Sequence, residues 1–189
     1  MECLPPGATL IDDFVSVGRE QELLSFINEA LWLQDLSRRV QHYGWRYDYK
    51  ARRVTADARL GPLPDWLEPE VDALCGRSLF DPAPDQVIVN EYEPGQGIAL
   101  HVDCVPCFGP TIVSPSLGGH VEMRFENTAT GEKRETLLPP RSLLVLTGSA
   151  RYEWSHTIPA RKSDVIDGRR VGRKRRISLT FRRVISDLT

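Results

Sequence analysis

His101 and Asp103 stand two residues apart in the run IALHVD. In an extended chain, residues two apart project from the same face. One imidazole nitrogen and one carboxylate oxygen would then leave one strand toward a common point. A third ligand must come from elsewhere. The run RYEWSHTI offers His156, on a strand face shared with Tyr152, Trp154 and Ile158. Two histidines and one carboxylate on one side of a divalent ion make an open facial site, which suits iron(II) chemistry with O2. H-x-D alone equally fits a hydrogen-bonded pair, and a lone histidine equally fits a core, so the triad needs independent support.

That support lies in RRISLTFRRV, near the C-terminus. As a strand, this run puts Arg176, Ser178, Thr180 and Arg182 on one face and Ile177, Leu179 and Phe181 on the other. The second set is a plain core stripe. The first lines an interior with two permanent cations, which are costly to bury without anions. A dicarboxylate meets that need, because guanidinium binds carboxylate through paired, charge-assisted hydrogen bonds. Six residues span about 20 Å of strand. Both arginines must therefore bend inward, or one serves a second role beside the metal.

The elements that would position these groups are legible from pattern. Residues 19–33 place Leu23, Leu24, Ile27 and Leu31 at helical spacing, and a second helix is expected within 65–78. From residue 86 the chain changes to short β-rich runs at 86–92, 98–103, 111–117, 120–126, 133–138, 142–147, 151–158 and 175–184. Pro94-Gly95, Gly118-Gly119, Pro139-Pro140 and Gly148 punctuate them. Short strands with such punctuation predict a sandwich or barrel, the two-sheet jelly roll being the commonest form. The expected class is α+β, with N-terminal helices covering a jelly-roll core. Residues 159–174 lack periodicity and read as a mobile loop.

The chain has 189 residues, enough for one domain with a substantial core. No apolar run reaches the roughly 18 residues of a membrane span. No basic segment followed by an apolar stretch opens it. An intracellular monomer is expected, cytoplasmic or nuclear. Of its four cysteines, Cys104 and Cys107 form a lone C-x-x-C; all four are expected reduced. Net charge is only −2, yet residues 38–59 and 161–183 hold 17 of the 24 basic residues. Such clustering makes a local positive potential suited to a polyanion. In the first cluster, Tyr43, Trp45, Tyr47 and Tyr49 interleave with Arg46, Lys50, Arg52 and Arg53. Aromatics for stacking beside cations for phosphate fit a nucleic-acid surface. The same alternation also fits one packed face of a hairpin.

Taken in order, Asn90-Glu-Tyr92, His101-Val-Asp103, His156 and Arg176 through Arg182 resemble the pattern of the AlkB family: N-x-Y, H-x-D, a distant H, and R-x5-R. The matching segments cover most of 86–184. The resemblance implies a double-stranded β-helix, a distorted jelly roll, preceded by a nucleotide-recognition lid that the stretch RVQHYGWRYDYKARRV resembles. It divides the single 1–189 domain into helices and lid over 1–85 and core over 86–184. It implies Fe(II) on His101, Asp103 and His156, and 2-oxoglutarate and O2 as cosubstrates. Arg176 would hold the far carboxylate, assisted by Asn90, Tyr92 and Ser178, with Arg182 on the metal side. Tyr43, Trp45, Arg46 and Tyr47 would meet the substrate. The implied reaction hydroxylates a modified base in RNA or single-stranded DNA while 2-oxoglutarate becomes succinate and CO2; a hydroxylated N-methyl leaves as formaldehyde. Two departures matter. Ser178 stands where bacterial AlkB has Asn. Val105 stands where it has an acid that reads the damaged base, which weakens the case for repair of alkylated adenine and cytosine. The runs PGQGI and LLVLTGSARYEWSH are more similar to the branch that hydroxylates wobble uridines in tRNA. A protein or small-molecule hydroxylase on the same scaffold is the alternative.

Overall fold

A computed structural model describes residues 4–34 and 36–185. Cys3, one of the thiols expected to be reduced, lies outside them. Twelve strands and three α-helices follow in order: β1 (Ala8–Ile11), α1 (Val17–Glu29), β2 (Val40–Tyr43), α2 (Glu68–Gly76), β3 (Gln86–Tyr92), β4 (Ile98–His101), β5 (Phe108–Gly118), β6 (Val121–Asn127), β7 (Lys133–Leu138), β8 (Leu143–Leu146), α3 (Gly148–Tyr152), β9 (Trp154–Ile158), β10 (Ser163–Ile166), β11 (Arg169–Gly172) and β12 (Arg176–Val184).

Two antiparallel sheets face each other. The larger has the order β1-β8-β5-β12-β3-β2, the smaller β4-β9-β6-β7. The side chains of β3 and β12 decide both faces of the larger sheet. Val87, Val89, Ile177, Leu179 and Phe181 pack outward on Leu23 and Ile27 of α1 and on Leu67 and Leu74 around α2. The alternate residues face the smaller sheet, where Ile112, Met123, Phe125, Leu144 and Trp154 build a second core. The expected α+β jelly roll is therefore the observed one, and its polar-faced β12 sits at the centre of the larger sheet rather than at an edge.

Several boundaries differ for physical reasons. Helix α1 begins at Val17, where Ser16 Oγ accepts from Arg19 N, and ends at Glu29 instead of running to residue 33. The Gln41 side chain caps that end by donating to Ile27 O at 2.8 Å. Leu31, placed on the helical stripe by its spacing, is 92% exposed. Residues 151 and 152, expected to open a strand, instead close α3, so Tyr152 leaves the face of Trp154, His156 and Ile158 and is exposed. Residues 159–174 are not an open loop. They form the β10–β11 hairpin, with Asp167 and Gly168 at positive φ in its turn. Asp164, buried at its base, accepts from Arg161 and from two nitrogens of Arg173. His120 Nε2 stands 3.9 Å from the same carboxylate. Cys104 and Cys107 are joined in a disulfide, against the reduced state expected of them. The turn over 104–107, with Cys107 N donating to Cys104 O, brings the two sulfurs together. Cys75 is free.

Candidate active site

The cavity between the two sheets measures about 550 Å³. Strand β4 reaches it by passing tightly over β9: a Cβ at Gly97 would sit 2.1 Å from Ile158 O, so only glycine fits there. The ladder then sets His101 directly opposite His156, their ring centroids 4.4 Å apart. His101 Nδ1 lies 2.8 Å from Ala99 O. A carbonyl only accepts, so Nδ1 carries the proton and Nε2 keeps its lone pair for a ligand. Burial pushes His156 down to about 4, and the neighbouring His101 adds to this, so its imidazole is neutral near pH 7.

Asp103 does not continue the strand. Strand β4 stops at His101, and Asp103 opens the loop that leads to β5. Its carboxylate accepts from Arg182 Nη2 at 2.7 Å. Burial alone would push this acid up, but Arg182 and the two imidazoles outweigh it and hold it well below the ordinary carboxylate range. Among the described residues, no three His, Cys, Asp or Glu side chains stand as an already closed ligand set. Two imidazoles and a carboxylate line one cavity, with the acid currently engaged by Arg182.

On β12, Arg176, Ser178, Thr180 and Arg182 all line the cavity, and Ile177, Leu179 and Phe181 turn away from it. The two arginines have different partners. Arg182 serves the metal side through Asp103 and Gln86. Arg176 lies at the far end, under the Tyr92 ring at 5.4 Å, and donates one hydrogen bond to Ser116 Oγ. Its Nε and Nη1 are buried without a partner, as are Arg182 Nε and His156 Nδ1. Burial pushes the Arg176 guanidinium down to about 10. Orphaned, charged donors aimed into a cavity mark a place for an anion. An iron ion and a dicarboxylate thus fit the residues present. Ser178 stands opposite Asn90 in the ladder and shares a 2.7 Å hydrogen bond with Ser114.

The expected substrate residues separate. Tyr47 lines the cavity, edge-on to Tyr49, which lines it too. Tyr43 does not: it packs edge-on to Trp66 on the outer face of the sheet. Trp45 lines a different groove, with Arg59 over its ring. Arg46 is exposed, and its main-chain N–H donates to Ala58 O. Two buried cations escape the sequence reading, Arg38 on the cavity wall and Arg151 behind the Asp103 loop. Arg38 is buried, donates from Nε to Asn90 Oδ1 at 2.9 Å and lies over Tyr92. Arg151 holds the Asp103 loop. Both looked like members of a charge cluster or a strand, and only its position in RYEWSH, near His156, could have singled out Arg151.

The sequence matches the 2OG-Fe(II) oxygenase superfamily over residues 17–182. It is 42% identical over 183 residues to the bovine mitochondrial alpha-ketoglutarate-dependent dioxygenase alkB homolog 7, covering 95% of this chain and 79% of that one. It is 38% identical over 205 residues to the Xenopus tropicalis tRNA (carboxymethyluridine(34)-5-O)-methyltransferase alkbh8. That match covers 96% of this chain but only 32% of the frog protein. The solved structure of OsALKBH1 superposes with a TM-score of 0.70 at 18% identity, over 95% of this chain and 98% of that one, which speaks to the fold alone. The chain belongs to the 2OG-Fe(II) oxygenase superfamily, in its AlkB branch. It is a dioxygenase whose class uses Fe(II), 2-oxoglutarate and O2. No helix among the described residues is long and apolar enough to cross a membrane.

Proposed function

We propose that this dioxygenase oxidises modified bases in RNA or single-stranded DNA, with His101, Asp103 and His156 holding iron. One observation carries the reading: the adjacent His101 and His156 rings share a cavity with two guanidiniums that each keep a buried donor without a partner. Arg176, backed by Tyr92 and Ser116, would take the far carboxylate of 2-oxoglutarate. Asn90, tied to Arg38, and Ser178, tied to Ser114, would line the same slot. Arg182 would keep Asp103 ionised and orient it. When bound, iron and 2-oxoglutarate supply O2-dependent hydroxylation coupled to loss of CO2.

Tyr47 and Tyr49 lie on the cavity wall formed by residues 36–52, where an unstacked base would meet two ring faces. Arg46, Trp45 and Tyr43 then belong to the periphery or to the fold. The segment within 1–85 would act as the lid, and 86–184 as the catalytic core of one 1–189 unit. The exposed Lys162, Arg169, Arg170 and Lys174 flank the hairpin beside Gly95 and could follow the phosphate backbone. The likeness to the frog tRNA methyltransferase supports a nucleic-acid substrate, cytoplasmic or nuclear, met by a monomer. The test is succinate release with tRNA and with methylated oligonucleotides, each with and without an iron chelator. Chelator-sensitive release stimulated by either is expected. Release that neither nucleic acid raises would favour a protein or small-molecule substrate.

A further inference from the structure

Arg151 is 2% exposed, yet its guanidinium has no carboxylate partner among the described residues. Its hydrogen bonds all end on main-chain carbonyls. Nη1 donates to Asp103 O at 3.0 Å, and Nη2 to Cys104 O and Phe108 O, each at 3.2 Å. Nε donates to Gly109 O at 3.2 Å. All four carbonyls belong to the stretch that carries Asp103 from the end of β4 to the start of β5. Before Phe108, which lies opposite Val184 of β12, that stretch belongs to no strand. An isolated buried cation is costly, and so are buried carbonyls left without partners, although Cys104 O keeps two others in Cys107 N and Phe108 N. Each cost offsets the other only while the loop holds this one shape. Arg151 is the last residue but one of α3, which precedes β9, and His156 lies on β9 itself. One short segment therefore delivers an imidazole to the site and grips the loop bearing the carboxylate.

We propose that Arg151 is a positioning residue of the iron site, fixing the Asp103 loop so that its carboxylate stands opposite the His101–His156 pair. This rests on the assignment of those three residues as ligands. A lysine keeps the charge but is a single compact donor centre and cannot span four carbonyls. A methionine keeps the bulk and removes both. If Arg151 served only the core, its replacement would lower stability and leave ligation unchanged. If it positions Asp103, metal affinity falls even where the fold survives.

The experiment measures Mn(II) affinity, as an O2-inert stand-in for Fe(II), and the thermal midpoint of the metal-free full chain. The proteins are the wild type, Arg151→Lys, Arg151→Met, Asp103→Ala and Leu138→Ala. Leu138→Ala opens a cavity at the end of β7, where Leu138 stands opposite Val121 and touches none of the four carbonyls through a hydrogen bond. The expected result is Mn(II) binding weakened about 10-fold in Arg151→Lys and up to about 100-fold in Arg151→Met, the usual range when a group behind a ligand is removed. Leu138→Ala should lower the midpoint and leave affinity intact. Wild-type affinity in Arg151→Lys, or weakening in Leu138→Ala to match it, overturns the proposal. Should Arg151→Met fail to fold, Arg151→Lys decides. Wild-type protein that binds no Mn(II), or binds it as well after Asp103→Ala, overturns the ligand assignment itself and this inference with it.

Discussion

Arg182 and Asp103 form a buried ion pair, Nη2 to Oδ1 at 2.7 Å, in a cavity that both line with His156. The guanidinium keeps the acid ionised without a metal and occupies one of its oxygens. An ionised carboxylate has lone pairs to spare for a second partner. The site is thus held ready, with its negative charge neutralised by a neighbour.

This arrangement fixes a pH dependence. Asp103 is held below the ordinary carboxylate value of about 3.9, so its contribution to stability is present above about pH 4 and lost in stronger acid. His156 is pushed down to about 4, whereas the unfolded imidazole titrates near 6.5. Its contribution is complete above roughly pH 6.5 and lost as pH falls through about 4. Both signs agree. The urea midpoint of the metal-free protein should hold steady above pH 7 and fall on acidification below 6.5, and His156→Gln should flatten the upper part of that fall. A midpoint that rises on acidification would contradict the burial of a neutral His156.

Arg176 should trade stability for binding. Its guanidinium is buried, shifted down to about 10 and only partly hydrogen-bonded. Apolar residues of similar volume often replace such buried charges without loss. Arg176→Met should therefore leave the melting midpoint unchanged or raised. Charge-assisted hydrogen bonds contribute about 1.5–3 kcal/mol each, so the KM for 2-oxoglutarate should rise roughly 10- to 100-fold. Calorimetry and steady-state kinetics on the same protein check both halves. A lowered midpoint with unchanged KM would make Arg176 structural.

The sequence was most informative where one strand face carried the message. Alternation along β12 separates Arg176, Ser178, Thr180 and Arg182 from Ile177, Leu179 and Phe181, and the ladder keeps that separation. The His101–His156 pairing was legible only as two histidines with compatible neighbours; cross-strand register supplied the contact. Asp103 was assigned to a strand because spacing alone does not register a loop held by Arg151 and closed by Cys104 and Cys107. The β10–β11 hairpin was missed although Asp167-Gly168 is a turn signal, because Asp164 holds it through arginines that read as a charge run. Tyr43 and Trp45 fit a stacking pattern in sequence, but packing turns one to the helices and the other to a separate groove.

That division separates the aromatic variants. Tyr47→Ala removes a ring from the cavity wall and should weaken oligonucleotide binding by roughly 1–3 kcal/mol, the usual worth of a stacked base. Trp45→Ala, beside Arg59 in the other groove, should change affinity little. Tyr43→Ala should lower stability, since its ring packs on Trp66, and spare affinity. Fluorescence anisotropy with a labelled single strand measures all three. Equal losses for Trp45 and Tyr47 would mean that the nucleic acid follows the outer groove as well.

The basic hairpin gives a prediction about salt rather than about a single base. Arg169 and Arg170 are exposed on β11 and pair with no acid among the described residues, whereas Arg161 and Arg173 are committed to Asp164. Free surface cations bind a polyanion chiefly by releasing its counterions, so they contribute to the salt slope more than to base preference. Replacing Arg169 and Arg170 by Ser should weaken binding to all single-stranded sequences alike. It should also reduce the slope of log affinity against log salt by roughly 0.7 for each phosphate that is no longer neutralised. Turnover of a substrate too short to reach the hairpin should not change. Asp164→Asn should act differently, loosening the hairpin base and lowering the melting midpoint. If the double Ser variant keeps the full salt slope, the phosphate backbone runs elsewhere, and the charge on this hairpin serves only solubility.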